Sequence, residues 1–123
     1  MQRADRPVFL NLARIRYPVG ALASIGHRIS GLVLVLVLPF AVLALERSLS
    51  DEAAFFFAIE AIRSPLGRAA IVLIAWAGAH HLLAGIRHLL SDVGVGASLA
   101  TSRRSAYAVL IAGALVAGAA LVA

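Results

Sequence analysis

Fifteen consecutive residues, GLVLVLVLPFAVLAL from Gly31 to Leu45, contain no charged or hydrogen-bonding side chain. A helix built from them has no polar face to turn toward water, so it must lie in a large core or in lipid. Chain size decides between the two. The protein has 123 residues, 62% of them hydrophobic and only 14% charged, and a soluble domain so small cannot cover that much apolar surface. Extended outward, the run becomes a first span from about Gly20 to Leu45. A second follows from about Ala69 to Leu90 and a third from about Ser105 to Ala123. Each approaches the ~20 residues that cross ~30 Å of hydrocarbon at 1.5 Å per residue. Pro39 falls late in the first span, where neighbouring groups can satisfy the freed carbonyl. The expected fold is an all-α membrane protein: one domain over 1–123, with three transmembrane helices after an N-terminal cytoplasmic segment.

The polar segments set the orientation. The net charge is +5, and every basic residue is arginine. In a soluble chain this balance would suggest nucleic acid; beside apolar spans it reads as topology and contact with lipid headgroups, with no nucleic-acid partner. Arg3, Arg6, Arg14 and Arg16 in segment 1–19 face a single acid, Asp5. Arg103 and Arg104 in the loop 91–104 lie beside Asp92, with Arg87 just before it. The loop 46–68 is mixed in sign. The arginine bias puts the N-terminus and the 91–104 loop in the cytoplasm, and the 46–68 loop and the C-terminus in the periplasm. Within 46–68, AAFFFAIEAIR reads as a short interfacial helix with aromatic anchors. No signal peptide is expected, because no short apolar core precedes a small-residue cleavage site. The absence of cysteine removes disulfides, thiolate metal sites and iron–sulfur clusters held by this chain.

Two polar clusters interrupt the spans, and ionisable groups at membrane depth mark function by default. In SIGHRISG, residues Ser24, His27, Arg28 and Gly31 follow i, i+3, i+4, i+7 spacing and share a helical face. A fixed charge beside a hydroxyl suits a ligand with carbonyl or carboxylate oxygens. The bland alternative is that Arg28 snorkels to headgroups and Ser24 bonds its own backbone.

The second cluster is HHLLAGIRHLL, residues 80–90. At 100° per residue, His81, Gly85 and His88 lie within about 60° of one another, with Gly78 on the same side. The glycines leave a groove beside His81 where something flat and bulky can approach the backbone. His80 points about 100° away and reads as a packing histidine bonded to a carbonyl; Arg87 lies on its side. Zinc needs three or four ligands, and no cysteine or carboxylate converges here. Haem needs one or two axial nitrogens, apolar walls and basic groups for its propionates. His27 lies near the cytoplasmic end, as His88 does, whereas His81 is seven residues deeper than His88, about 10 Å. His27 therefore suits the propionate edge, and a second axial ligand must come from another chain.

RPVFLNLARIRYPVGALASIGHRIS, from Arg6 to Ser30, and HLLAGIRHLLSD, from His81 to Asp92, resemble the two signatures of the cytochrome b membrane-anchor family of bacterial succinate dehydrogenase. The first is RP followed by S-x-x-H-R-x-S; the second is H-x-x-x-G-I-R-H with a later aspartate. Length, span number and motif separation agree across essentially the whole chain. The resemblance implies a subunit of respiratory complex II, serving the tricarboxylic acid cycle, that passes electrons to ubiquinone from an iron–sulfur subunit fed by a flavoprotein subunit. It implies one haem b, shared with a second membrane-anchor subunit that completes the helical bundle and supplies the other haem ligand. Site by site, it implies His81 as axial ligand, and Ser24 and Arg28 as quinone-binding residues. His27, Arg28, Gly31, Gly85 and His88 would form the haem pocket and propionate contacts, with Arg87 and Asp92 facing the iron–sulfur subunit. The chain itself would carry no catalytic residue and would not touch succinate. Ser91 departs from the bulky residue usual before the aspartate, which bears on packing under the second signature. A quinol:fumarate reductase anchor shares these signatures. A non-redox helical scaffold or transporter subunit is the alternative of another class, and it expects no haem in the purified complex.

Overall fold

The computed structural model describes residues 15–123, whose regular elements are all α-helices. Arg3, Arg6, Arg14, Asp5 and the start of the first signature lie outside the described residues. Four helices follow in order: α1 (Val19–Ser48), α2 (Glu52–Arg63), α3 (Pro65–Asp92) and α4 (Leu99–Val122). Helices α1, α3 and α4 are long and apolar enough to cross a membrane. The 30 residues of α1 measure roughly 45 Å, more than the ~30 Å hydrocarbon thickness, so the helix extends into the headgroup layers or tilts.

The helices run past the apolar windows visible in sequence because local caps, not hydropathy, fix their ends. Asp51 caps α2, accepting from the backbone N–H of Ala54 at 2.8 Å. Ser64 closes α2 and opens α3, accepting from Gly67 N at 3.1 Å, and Pro65 stands at the first helical position. The turn is so tight that a β-carbon on Gly67 would overlap the carbonyl oxygens of Ala61 and Ile62. Helix α3 ends in a Schellman arrangement: Gly94 adopts φ 80°, Gly94 N donates to Ser91 O, and Val95 N donates to Leu90 O at 2.8 Å. Ser98 caps α4, so this helix starts six residues before its apolar stretch and takes in Arg103 and Arg104.

Helix α3 packs against both α1 and α4. The contact surfaces are small: Ala23, Ala77, Ala84 and Ala106 are fully buried, and Val19 and Val109 nearly so. Lipid tails are as apolar as leucine, so burying large side chains gains little inside a membrane; small residues allow close backbone approach and dispersion contact instead. The large side chains accordingly point outward, among them Leu32, Val35 and Phe40. A polar brace joins α3 to α4. Arg87 donates through Nε to Ser105 Oγ at 3.1 Å, and through Nη2 to Ser102 Oγ at 2.9 Å and Ser102 O at 3.3 Å. Replacing Arg87 with alanine is expected to lower the unfolding free energy by about 1–2 kcal/mol, with Arg87→Lys recovering part, as read by thermal unfolding in detergent.

Candidate functional site

The site lies on the seam between α1 and α3. His81 Nδ1 is 3.2 Å from the carbonyl oxygen of His27. A carbonyl only accepts, so the contact assigns the proton to Nδ1 and leaves Nε2 with its lone pair. Ser30, fully buried, donates its hydroxyl to the same carbonyl at 2.9 Å and sits 3.4 Å from His81 Nδ1. The imidazole fits because residue 31 is glycine. A β-carbon there would come within 2.9 Å of His81 Cε1 and 3.2 Å of Nδ1, while Nε2 is farther, at 4.0 Å. The ring therefore enters α1 by its Nδ1–Cε1 edge and turns Nε2 away.

Three imidazoles stack in a row. The ring of His27 lies 4.3 Å from that of His81 and 5.0 Å from that of His88, at interplanar angles of 23° and 20°. Gly85 lies beside the stack, with His27 Nε2 3.5 Å from where its β-carbon would sit, an ordinary contact distance. His27 thus touches both α3 histidines, between the level of His81 and that of His88. Face-to-face stacking at 4.3 Å leaves no room for a macrocycle between His27 and His81. His88 Nδ1 donates to the carbonyl of Ala84, one turn back on its own helix, at 2.7 Å, so its Nε2 also faces outward. Beside His81, a β-carbon on Gly78 would meet nothing within 4 Å, which leaves the groove open on that side. Among the described residues no group of three or more His, Cys, Asp or Glu side chains converges to hold a metal ion, so any ion at His81 would need ligands from elsewhere.

Ser24 is half-buried and Arg28 exposed, one turn and less from His27 on α1. Neither side chain hydrogen-bonds to another described residue, unlike Ser30, which is tied to its own helix. Arg87 is drawn to α4 by the brace described above, and Asp92 is exposed at the end of α3. His80 is fully buried, with Nε2 3.2 Å from the carbonyl of Ala23 and its ring stacked 5.5 Å from Trp76. Sequence reasoning singled out neither Ser30 nor Gly26 nor Gly113. Ser30 is the last position of S-x-x-H-R-x-S, so a motif signal existed. The two glycines are notches for His80, and nothing in their spacing reveals that.

Comparison with known proteins places the chain. Residues 2–121 match the family described as the succinate dehydrogenase/fumarate reductase transmembrane subunit. The chain belongs to that family. A succinate dehydrogenase cytochrome b556 subunit from Coxiella burnetii is 39% identical over 112 residues, covering 88% of this chain and 87% of its own length. One from Paracoccus denitrificans is 36% identical over 116 residues, covering 94% and 88%. The histidine row of this family member rests on its glycines. Within it, Gly31→Ala is expected to displace His81 and reduce thermal stability, whereas Gly78→Ala, with open space around it, should leave stability within about 0.5 kcal/mol. Parallel melting curves of the two variants check the contrast.

Proposed function

We propose that the chain is the haem b-binding membrane anchor of a succinate dehydrogenase and takes part in delivering electrons to a quinone. The observation that carries this reading is the bond from His81 Nδ1 to the carbonyl of His27. A ligating histidine is commonly held through its other ring nitrogen by a carbonyl or carboxylate, which fixes the tautomer and raises basicity. His81 meets that requirement, in a glycine-relieved position with open space at Gly78. Haem b, bound there, would supply a one-electron store. A further haem ligand would come from a second membrane subunit, which would also cover part of the outward-facing apolar surface.

The remaining polar groups have distinct tasks in this reading. His88, with Nδ1 committed to Ala84 O, lines the propionate side of the pocket. His27 stacks on His88, Arg28 follows His27 on α1, and Gly31 and Gly85 border the pocket by admitting the rings of His81 and His27. Ser24 and Arg28, uncommitted within the described chain, bind a quinone. As a quinone gains electrons its oxygens become more basic. The permanently charged Arg28 stabilises the developing negative charge, and the Ser24 hydroxyl orients the ring by a hydrogen bond. The low dielectric near the headgroup boundary strengthens both contacts. Exposed Asp92 faces the iron–sulfur subunit at the cytoplasmic surface. Arg87, through its brace to α4, shapes that surface rather than reaching across it. The arginine bias orients the N-terminus toward the cytoplasm of a bacterial inner membrane. The family spans succinate dehydrogenases and fumarate reductases; both relatives are succinate dehydrogenase subunits, which favours the oxidising direction.

In the assembled complex, His81→Ala should abolish or displace the haem b absorption bands. An unchanged spectrum would remove His81 as the ligand. Arg28→Ala and Ser24→Ala should each slow quinone reduction by roughly 10²-fold or more, while succinate oxidation by a soluble artificial acceptor survives. Equal loss of both activities would indicate failed assembly instead.

A further inference from the structure

His80 is the most buried histidine in the described chain, and the proposed function gives it no part. It is held on three sides. On α1, a β-carbon at Gly26 would stand 2.6 Å from its Nε2 and 3.0 Å from its Cε1. On α3, its ring stacks on Trp76. On α4, a β-carbon at Gly113 would stand 3.4 Å from its Nδ1. The ring fills a socket where all three long helices meet.

Its neighbour His81 uses the same device one step along. Adjacent helical residues diverge by about 100°, yet both imidazoles reach α1, because their acceptors, the carbonyls of Ala23 and His27, are one turn apart. Two bonds at 3.2 Å, one to each carbonyl, prevent α3 from both sliding along α1 and rotating against it. A single bond would leave a pivot. Beyond the His27 carbonyl, His81 Nδ1 has only the longer contact to Ser30 Oγ, at 3.4 Å. The His27 carbonyl is already engaged by its own helix and by the Ser30 hydroxyl at 2.9 Å. Drift of α3 would therefore leave His81 Nδ1 with at most that longer contact, while α1 kept its own bonds.

We propose that His80 is a positioning residue for His81: seated in the Gly26 socket and bonded to Ala23 O, it keeps the His27 carbonyl on His81 Nδ1. It thereby sets how strongly His81 Nε2 donates to a metal. The proposal rests on the reading of His81 as a haem ligand. Weakening the bond at Nδ1 makes the imidazole a poorer donor, which stabilises ferric iron less and raises the reduction potential.

The test is a redox titration of haem b in the assembled complex, with low-temperature electron paramagnetic resonance of the ferric state. The variants are His80→Phe, His80→Gln and Gly26→Ala. His80→Phe fills the socket without a donor, and Gly26→Ala pushes the ring out of it. Both should retain haem, alter the ferric signal, and raise the midpoint by about a tenfold shift in the ferric/ferrous equilibrium, ~59 mV for one electron. His80→Gln keeps an N–H for Ala23 O and should stay near wild type. An unchanged or lowered potential in His80→Phe or Gly26→Ala overturns the proposal. So does loss of haem from all three, which would make His80 a determinant of folding alone. A wild-type complex without haem b would instead bring down the ligand reading itself, and this proposal with it.

Discussion

An α-helix in hydrocarbon has already satisfied its own N–H groups, so what it can offer a neighbour is the second lone pair on its carbonyl oxygens. Helix α1 makes that offer twice, at Ala23 and His27, and α3 answers with two consecutive histidines. The rest of the seam depends on this pairing. An imidazole reaches a helical carbonyl only where a missing side chain lets the ring approach, hence the glycines at 26 and 31. The alternative partner for an imidazole N–H at this depth is lipid, which accepts nothing. The bonds are individually modest in a membrane, of order 1 kcal/mol, but directional, and they select one register where alanine and glycine contacts alone would permit several.

The same bonds link packing to chemistry. A histidine donating from Nδ1 to a fixed carbonyl has a fixed tautomer, a fixed ring plane and an exposed Nε2, which is the state a metal ligand needs before the metal arrives. His81 reaches that state through contacts that also hold the helices together. Ser30 marks the limit of the arrangement, since it competes for the same carbonyl. Arg87 plays the corresponding part on the other side of α3, where a guanidinium supplies several donors to α4 without a metal or a second charge.

Much of this architecture could be read from residue order. Three apolar stretches too long for a small core require three spanning helices, and the structure contains them. That His80 bonds a carbonyl was legible as a packing role, but about 100° of helical rotation argued against what the structure shows, that His80 and His81 both reach α1. Helix ends were less legible: Ser64 and Ser98 start α3 and α4 within polar turns that hydropathy passes over. Gly78 and Gly85 looked equivalent in sequence. In the structure the Gly78 side is open and the Gly85 side accommodates the ring of His27, a difference set by a residue more than fifty positions away.

The sequence by itself determined that the chain carries three helices able to span a membrane, and that its histidines and Arg28 gather within two of those spans. It also determined which family the chain joins, because hydropathy and motif spacing are properties of residue order. Only the tertiary structure decided which nitrogen of His81 is left with its lone pair, that His27 stacks between two histidines, that Ser30 shares their carbonyl, and that Arg87 turns toward α4. These outcomes depend on the register of α1 against α3 and of α3 against α4, and a register is a relation between helices that no single helix encodes.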